Sequence, residues 1–392
     1  MLIVALNAGS SSLKCALFET STGEIRFVLR GAVDGIGGPA ARLRTSTVHH
    51  VDETLELPQA TDHRSAFRHL SAAMRSQAET QFAAVGHRVV HGGARFAAPV
   101  LIDGSVLAEI KRLVPFAPLH QPCQVRLIEA LREEYPAVPQ VACFDTAVHR
   151  TLPEIAARFP LPRWLWDEGV RRYGFHGLSY EFVLGSNAAF RRGKTIIAHL
   201  GHGASITAFQ DGVSVETTMG FTPTGGLMMG TRCGDLDPGV FLHLLRRHGC
   251  SADDLDRIVN AESGLAGVSG TTSDVKRLLD QSPVNNAAAL AVEMFCYQAA
   301  MRIGGLAAAL NGMDRLVFTG GIGERSAVVR TAICARLSFL GLSLDESWND
   351  THEADIQSPS SRCSVHVVKT DEELVIARHT SQVLLTAAGN SG

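Results

Sequence analysis

The chain has 392 residues, 45% hydrophobic and 19% charged, the make-up of a globular protein with a sizeable core and, by length, two to three domains. A formal net charge of -3 argues against a nucleic-acid or anionic-membrane surface as the main partner, though small anions need only a local positive cluster. The 8 cysteines include no CxxC pair and no zinc-type spacing, so buried, reduced thiols are expected.

In chain order, Leu2 to Leu6 reads as an apolar strand with no basic region before it, so no leader is expected and the chain should stay in the cytoplasm. The polar turn Asn7-Ala8-Gly9-Ser10-Ser11-Ser12 leads to a second strand, Leu13 to Phe18, and a turn around Thr22-Gly23. Phe82 to Val90 reads as a strand, Pro122 to Glu134 as a helix with Val125, Ile128 and Leu131 on one face, and Val141 to Phe144 as a short buried strand. A change of domain is expected just after Asp145, giving domains 1–145 and 146–374, the first completed by 375–392. The prolines of Pro160-Leu161-Pro162-Arg163 break regular structure.

Thr195 to Leu200, the turn Gly201-His202-Gly203-Ala204-Ser205, the strand Ile206 to Phe209, the Asp211-Gly212 turn and Val213 to Val215 then echo the beginning. Laying Leu6 on Leu200 also superposes Gly9 on Gly203 and Ser11 on Ser205. From spacing alone, two unrelated hairpins explain this equally well. Helices follow at Val240 to Arg247, Ser273 to Leu279 and Ala287 to Leu310, the last interrupted by Glu293, Gln298 and Arg302 and so not a membrane span. The strand Arg315 to Thr319, a helix Ser326 to Arg336, an exposed variable loop Asn349 to Ser364, the strand Val365 to Val368 and a final helix Glu372 to Ala387 complete an α/β order.

Several segments suit anion chemistry. Gly9 and the hydroxyls of Ser10 and Ser12, with Lys14 on the following strand, could cradle a phosphate, or form a solvated serine turn; this is not a Walker loop. Gly320-Gly321-Ile322-Gly323-Glu324 opens onto a helix, either as an anion site or as a tight strand-to-helix turn. The glycine-rich stretch Gly220 to Gly239 reads as a long structured loop. Its Arg232 is a clamp for a carboxylate or phosphoryl group, or else the ion-pair partner of Asp235 or Asp237. His91 and His176 lie in glycine-bracketed turns, where a lone histidine is more often structural. Asp145 follows a buried strand, where a carboxylate often faces a ligand, and could hold magnesium; Asp371 or Glu372 could merely cap the last helix.

Taken in order, Asn7 to Lys14, Gly86 to Gly93, Ala117 to His120, Phe144 to Ala147, Tyr173 to Gly177, His199 to Gly203, Met219 to Pro238, Gly264 to Asp274, Phe318 to Glu324 and Thr370 to Arg378 resemble the acetokinase family over nearly the whole chain. The resemblance implies the duplicated two-domain, ribonuclease H-like fold of sugar kinases, actin and heat-shock chaperones, with a central cleft. It also implies reversible phosphoryl transfer from ATP to acetate with Mg2+ (Mn2+ as an alternative), in a homodimer.

By position, Arg88 and Arg232 resemble the arginines that hold the carboxylate and the phosphoryl group, and His176 and His120 the histidines that face it. Asp145 resembles the central acid, and Asn7 and Glu372 the residues around the metal. Ser10, Ser12 and Lys14 line the first loop. His199, Leu200, Gly201, His202, Gly203, Asp274, Val275, Lys276, Gly321, Ile322, Gly323, Glu324 and Arg325 resemble the nucleotide side. Val90, Leu119 and Pro223 match the methyl pocket, where a valine favours acetate over longer acids. His202, Thr224-Gly225, Lys276 and Arg325 depart from the family's usual residues. ATP remains the expected donor, with pyrophosphate or another nucleotide as the alternative. Rival readings are a propionate or butyrate kinase on the same scaffold, or a non-catalytic actin-like nucleotide binder.

Overall fold

The computed structural model describes residues 1–21, 24–38, 40–47, 53–77 and 82–389; the expected turn at Thr22-Gly23 and the last three residues lie outside them. Two compact units form. One is Met1–Ala147 with the chain from Asp371 on, and the other is Val148–Thr370.

The first unit is built on an eight-stranded sheet, in the order β5-β4-β3-β2-β1-β6-β8-β7. Its strands are β1 (Leu2–Ala8), β2 (Ser12–Ser21), β3 (Glu24–Asp34), β4 (Arg42–Thr47), β5 (Glu53–Glu56), β6 (Ala84–Val89), β7 (Val100–Leu101) and β8 (Gln140–Phe144). From Ile3 on, every residue of β1 is buried, as its unbroken apolar run requires of a central strand covered on both faces. The helices His63–Gln77 and Gln121–Glu134 lay Phe67, Leu70, Leu127 and Leu131 into the core. The helix Glu372–Gly389 packs on β6, where a Cβ on Gly86 would collide with Ile376 and Thr380; glycine permits that approach.

Parallel pairing sets the active end. β1 runs parallel to β6, with Leu6 beside His87, and β6 parallel to β8, with Val89 beside Phe144. The carboxyl ends of three neighbouring strands therefore carry Asn7, Arg88 and Asp145 to one edge of the sheet.

The second unit has five strands, β9 (Lys194–Leu200), β10 (Ala204–Gln210), β11 (Val213–Thr217), β12 (Arg315–Thr319) and β13 (Ser364–Val367), in the order β11-β10-β9-β12-β13. An antiparallel meander followed by two parallel strands repeats the plan β3-β2-β1-β6-β8 of the first sheet. The fold is thus the duplicated actin and sugar-kinase type. The overlay of Ser11 on Ser205 does not carry through the turn. The last paired residues are Ala8 with Leu13 in one hairpin and Leu200 with Ala204 in the other, so Ser11 lies exposed in a longer loop while Ser205 is buried on β10.

Other expectations shift. The strands β3 to β5 and the helix His63–Gln77 occupy a region where no element is predicted. Gly320 to Arg325 is itself a short helix, and Ser326 caps the next one, Ala327–Ala335. The segment 349–364 is not a wholly exposed loop: Asn349 and Ile356 are fully buried, because Ile356 donates to the Val365 carbonyl and Asp345 to the Ile356 carbonyl beside β13. Every cysteine is a free thiol, six buried and Cys233 and Cys250 partly covered.

Candidate active site

In the first unit, four of the candidate side chains form one charged network. Arg88 grips Asp145 with Nε at 3.1 and 3.0 Å and Nη2 at 2.6 Å, and donates from Nη1 to Asn7 Oδ1 at 2.9 Å. Asn7 Nδ2 donates to Glu372 Oε2 at 2.8 Å, and Glu372 stands 3.9 Å from Arg88 Nε. The Asp145 side chain is 0% exposed. Burial of Arg88 weighs against its charge, but Asp145 and Glu372 outweigh that and raise its pKa, so it stays a cation. A guanidinium has five N–H groups, and one on each of Nη1 and Nη2 remains without a partner among the described residues. Such a fork suits an anionic oxygen.

The capping alternative for the last helix resolves by residue. Asp371 Oδ1 accepts from the Leu374 amide at 3.0 Å, while Glu372 is turned to Asn7. Asn7, Asp145 and Glu372 offer hard oxygen donors, the chemistry Mg2+ prefers, and Mg2+ commonly needs only one or two protein carboxylates. In this respect the residues fit the ion.

The first loop lies beside this network. Lys14 pairs with Asn7 across β1 and β2, so both side chains rise from the same face, and Lys14 is exposed. Ser10 is exposed and Ser12 partly so; the Gly9 amide donates to the Ser12 carbonyl at 2.9 Å. The Gly9 carbonyl meets His63 Nε2 at 2.7 Å, a support that sequence reasoning missed. Val90 is buried, with its amide donating to Gln124 Oε1 at 3.0 Å, whereas Leu119 is 40% exposed. Gln124 Nε2 reaches the Ala8 carbonyl at 3.2 Å and so ties the ends of β1 and β6 together. Gln121 likewise accepts from the His91 amide. Buried glutamines on the inner face of the Gln121–Glu134 helix were the available signal for both. His120 precedes that helix, and Cys123 Sγ donates to its carbonyl.

The second unit gathers imidazole rings, hydroxyls and a guanidinium. His176 occupies the left-handed region at φ 60°, uncommon for a residue with a side chain, and begins the helix Gly177–Ser186. Two supports hold that turn. Gly174 has φ 71° and leaves no room for a Cβ against the His149 ring, and His149 Nε2 meets the Phe175 carbonyl at 3.0 Å. Burial keeps His149 neutral, with its pKa lowered to about 4.

The rings of His176 and His199 stack at 4.2 Å and 21°. His176 Nδ1 pairs with Ser205 Oγ at 2.9 Å, and His199 Nδ1 with Ser179 Oγ at 2.8 Å. A Cβ on Gly203 would lie 3.0 Å from Arg232 Nη2 and 3.3 Å from His176 Nε2, so the second loop, the guanidinium and the imidazole converge there. Arg232 donates to the Pro223 carbonyl at 2.7 Å, while the suggested partners are otherwise engaged: Asp235 with Arg302 at 2.6 Å and Asp237 capping the helix Pro238–His248. The His202 ring abuts Gly230, where a Cβ would be 2.6 Å from Nδ1. Although solvent still reaches it, partial burial and the Arg232 charge lower its pKa.

Gly320, at φ 77°, brings the short helix Gly320–Arg325 against the Leu200 carbonyl, and a Cβ on Gly201 would be 3.8 Å from the Gly321 amide. Leu200 to Gly203 and Gly320 to Gly323 thus form adjoining loops at the ends of β9 and β12. Ile322 is half-buried and Arg325 exposed, while Glu324 turns inward and accepts from the amides of Gly320 and Thr370. Asp274 caps the helix Val275–Gln281 through the Lys276 and Arg277 amides; Val275 is buried and Lys276 exposed.

The family model described as the Acetokinase family matches residues 2–378. The acetate kinase of Rhodopseudomonas palustris is 44% identical over 390 residues, spanning 96% of this chain and 97% of its own. The crystal structure of Porphyromonas gingivalis acetate kinase has 36% identity and a TM-score of 0.86, covering 98% of this chain and 99% of that one. A propionate kinase from Francisella tularensis has 35% identity and a TM-score of 0.89, covering 97% and 99%.

Proposed function

The chain belongs to the acetokinase family and is a kinase that transfers phosphate to a carboxylate, and on that premise we propose how its residues divide the work. The reaction is that of an acetate kinase: ATP and acetate give ADP and acetyl phosphate, reversibly. An acetate oxygen forms a bond to the γ-phosphorus as the bond to the β,γ-bridging oxygen breaks. The acceptor is already ionised at neutral pH, so no general base is needed. The difficulty is bringing one anion onto another, which positioning and charge neutralisation overcome.

We assign Arg88, Arg232 and Lys14 to that neutralisation. Asp145 holds the Arg88 fork, and Asn7 and Glu372 would hold Mg2+, which would supply neutralisation of phosphate charge. His176, with His120, donates to the phosphoryl oxygens. Ser10 and Ser12 line the first phosphate loop. His199 to Gly203, Asp274 to Lys276 and Gly321 to Arg325 bind the nucleotide. Val90, Leu119 and Pro223 receive the methyl group. The observation that carries the assignment is the Arg88 fork, kept charged by a fully buried carboxylate with an N–H unspent on each terminal nitrogen.

Propionate is the second reading, favoured by the likeness to the propionate kinase. Comparing kcat/KM for acetate, propionate and butyrate decides. Acetate should lead, although one methylene alters discrimination by only about 1–3 kcal/mol; a preference for butyrate refutes the pocket assignment. We also propose a cytoplasmic homodimer, as the family resemblance suggests. No helix among the described residues is long and apolar enough to cross a membrane. Light scattering at twice the chain's 41.9 kDa supports the dimer; the monomer mass overturns it.

A further inference from the structure

Tyr180, on the inner face of the helix Gly177–Ser186, and Ser205, on β10, are both fully buried, and nothing in the family resemblance singles out either one. The Tyr180 hydroxyl lies 2.5 Å from Ser205 Oγ, and Ser205 Oγ lies 2.9 Å from His176 Nδ1. Thr207, whose side chain also acts on the Tyr180 phenol, meets Thr217 Oγ1 at 2.8 Å. Burial pushes the Tyr180 pKa upward, so the phenol keeps its proton and must place it on an acceptor.

Proton counting gives this chain a direction. Phosphoryl oxygens only accept hydrogen bonds, so a neutral His176 that serves them must carry its proton on Nε2, leaving Nδ1 as an acceptor. Ser205 then spends its single proton on Nδ1. The short contact to Tyr180 still needs a proton, which only the phenol can supply. Nε2 is also the ring nitrogen on the Gly203 and Arg232 side. The opposite direction would send the phenol proton to Thr207, make Ser205 donate to Tyr180, and require Nδ1–H on His176.

We propose that Tyr180 and Ser205 form a directional hydrogen-bond relay that holds His176 in the Nε2–H tautomer, making the imidazole an obligate donor toward the transferring phosphoryl group. The inference rests on the role assigned above to His176. Tyr180 and Ser205 touch no substrate; they are positioning residues that act through the ring. The relay complements the φ of 60° at His176, since the backbone sets where the ring stands and the hydroxyls set which nitrogen carries the proton.

The test is nitrogen-15 NMR of the full chain labelled at histidine, with the His176 signals identified by their loss in His176→Gln. The unsubstituted protein should show Nε2 protonated and Nδ1 bare. Tyr180→Phe removes only the hydroxyl and should give mixed tautomers, with kcat down severalfold to about tenfold and KM for ATP within about twofold, because only the correctly protonated fraction turns over. Ser205→Thr, which keeps a hydroxyl, should retain the Nε2–H signal. A protonated Nδ1 in the unsubstituted protein overturns the relay, and so does an unchanged tautomer in Tyr180→Phe. The first of these readings does not depend on Tyr180→Phe folding. If the chain makes no acyl phosphate at all, the functional reading fails, while the tautomer still decides the direction of the relay.

Discussion

The two units share a five-strand sheet plan but place different groups at their strand ends. In the first, strand ends present a cation, two acids and an amide in a dense network, Asn7, Arg88, Asp145 and Glu372. In the second, the corresponding loops present glycines, stacked imidazole rings and buried hydroxyls, with the Arg232 guanidinium against them. The difference teaches that the duplicated scaffold fixes where a ligand can be met, whereas the residues at the strand ends decide what is done there. The first unit invests in a charged fork, which is strong but fails abruptly when one partner is lost. The second invests in geometry, where small errors lose rate and not structure.

The sharpest way to break this contrast is Arg88→Ala. It leaves Asp145 buried without its cation, so the first unit should lose about 3–5 kcal/mol of stability and activity should fall about a thousandfold or more. Arg88→Lys should not rescue it, because an ammonium lacks the planar fork. Denaturant unfolding and steady-state turnover read both effects; an unchanged stability would show that Asp145 does not depend on the pair. His176→Ala, in the second unit, should lower kcat about 100- to 1,000-fold while KM for ATP and the unfolding midpoint change little. A normal kcat removes His176 from the phosphoryl assignment.

Arg330 lets the contrast be sharpened within the second unit. It is the largest fully buried side chain there, and among the described residues no carboxylate lies within ion-pair distance, with Asp350 acting on it only from further away. All five N–H groups are spent, on Asn349 Oδ1, the carbonyls of Gly323, Glu324 and Asn349, and His352 Nδ1. Arg330→Met orphans those acceptors and should cost about 3 kcal/mol of stability. It should also raise KM for ATP severalfold by loosening the Gly320–Arg325 helix. A raised KM for acetate with an unchanged KM for ATP would contradict that route.

The smallest effect tests a feature the units share. His87 in the first and His149 in the second are buried and neutral, each with its pKa lowered by burial from 6.5 to about 4. The unfolded chain therefore binds more protons than the folded one in this range. Stability should decline as pH falls from about 6.5 toward about 4, and these two residues should contribute no further change below that. His87→Asn should flatten the acid slope. A slope unchanged by that substitution assigns the loss to other groups.

Much of this was legible in the sequence, for physical reasons. Apolar runs that end in Asn7, Arg88 and Asp145 announce buried parallel strands, and parallel strands must bring their carboxyl ends together. Glycines at positive φ, such as Gly174 and Gly320, mark where backbone must pass close to its neighbours. The remainder was hidden because it depends on packing across long sequence distances. Tyr180 reaching Ser205 and Arg330 reaching Asn349 leave no local pattern. The strand β3 was legible in principle, since Arg26 and Arg30 are exposed while Leu29 and Val33 are buried. The polar segment 349–364 misled because its composition conceals Ile356, which the edge of the second sheet buries.

The central claim is phosphoryl transfer to a carboxylate, and trapping acyl phosphate with hydroxylamine tests it most directly. With ATP, Mg2+ and acetate the protein should give acetyl hydroxamate, in amounts that depend on all three and that fall away in Arg88→Ala. No hydroxamate with any nucleoside triphosphate or with pyrophosphate would contradict the account.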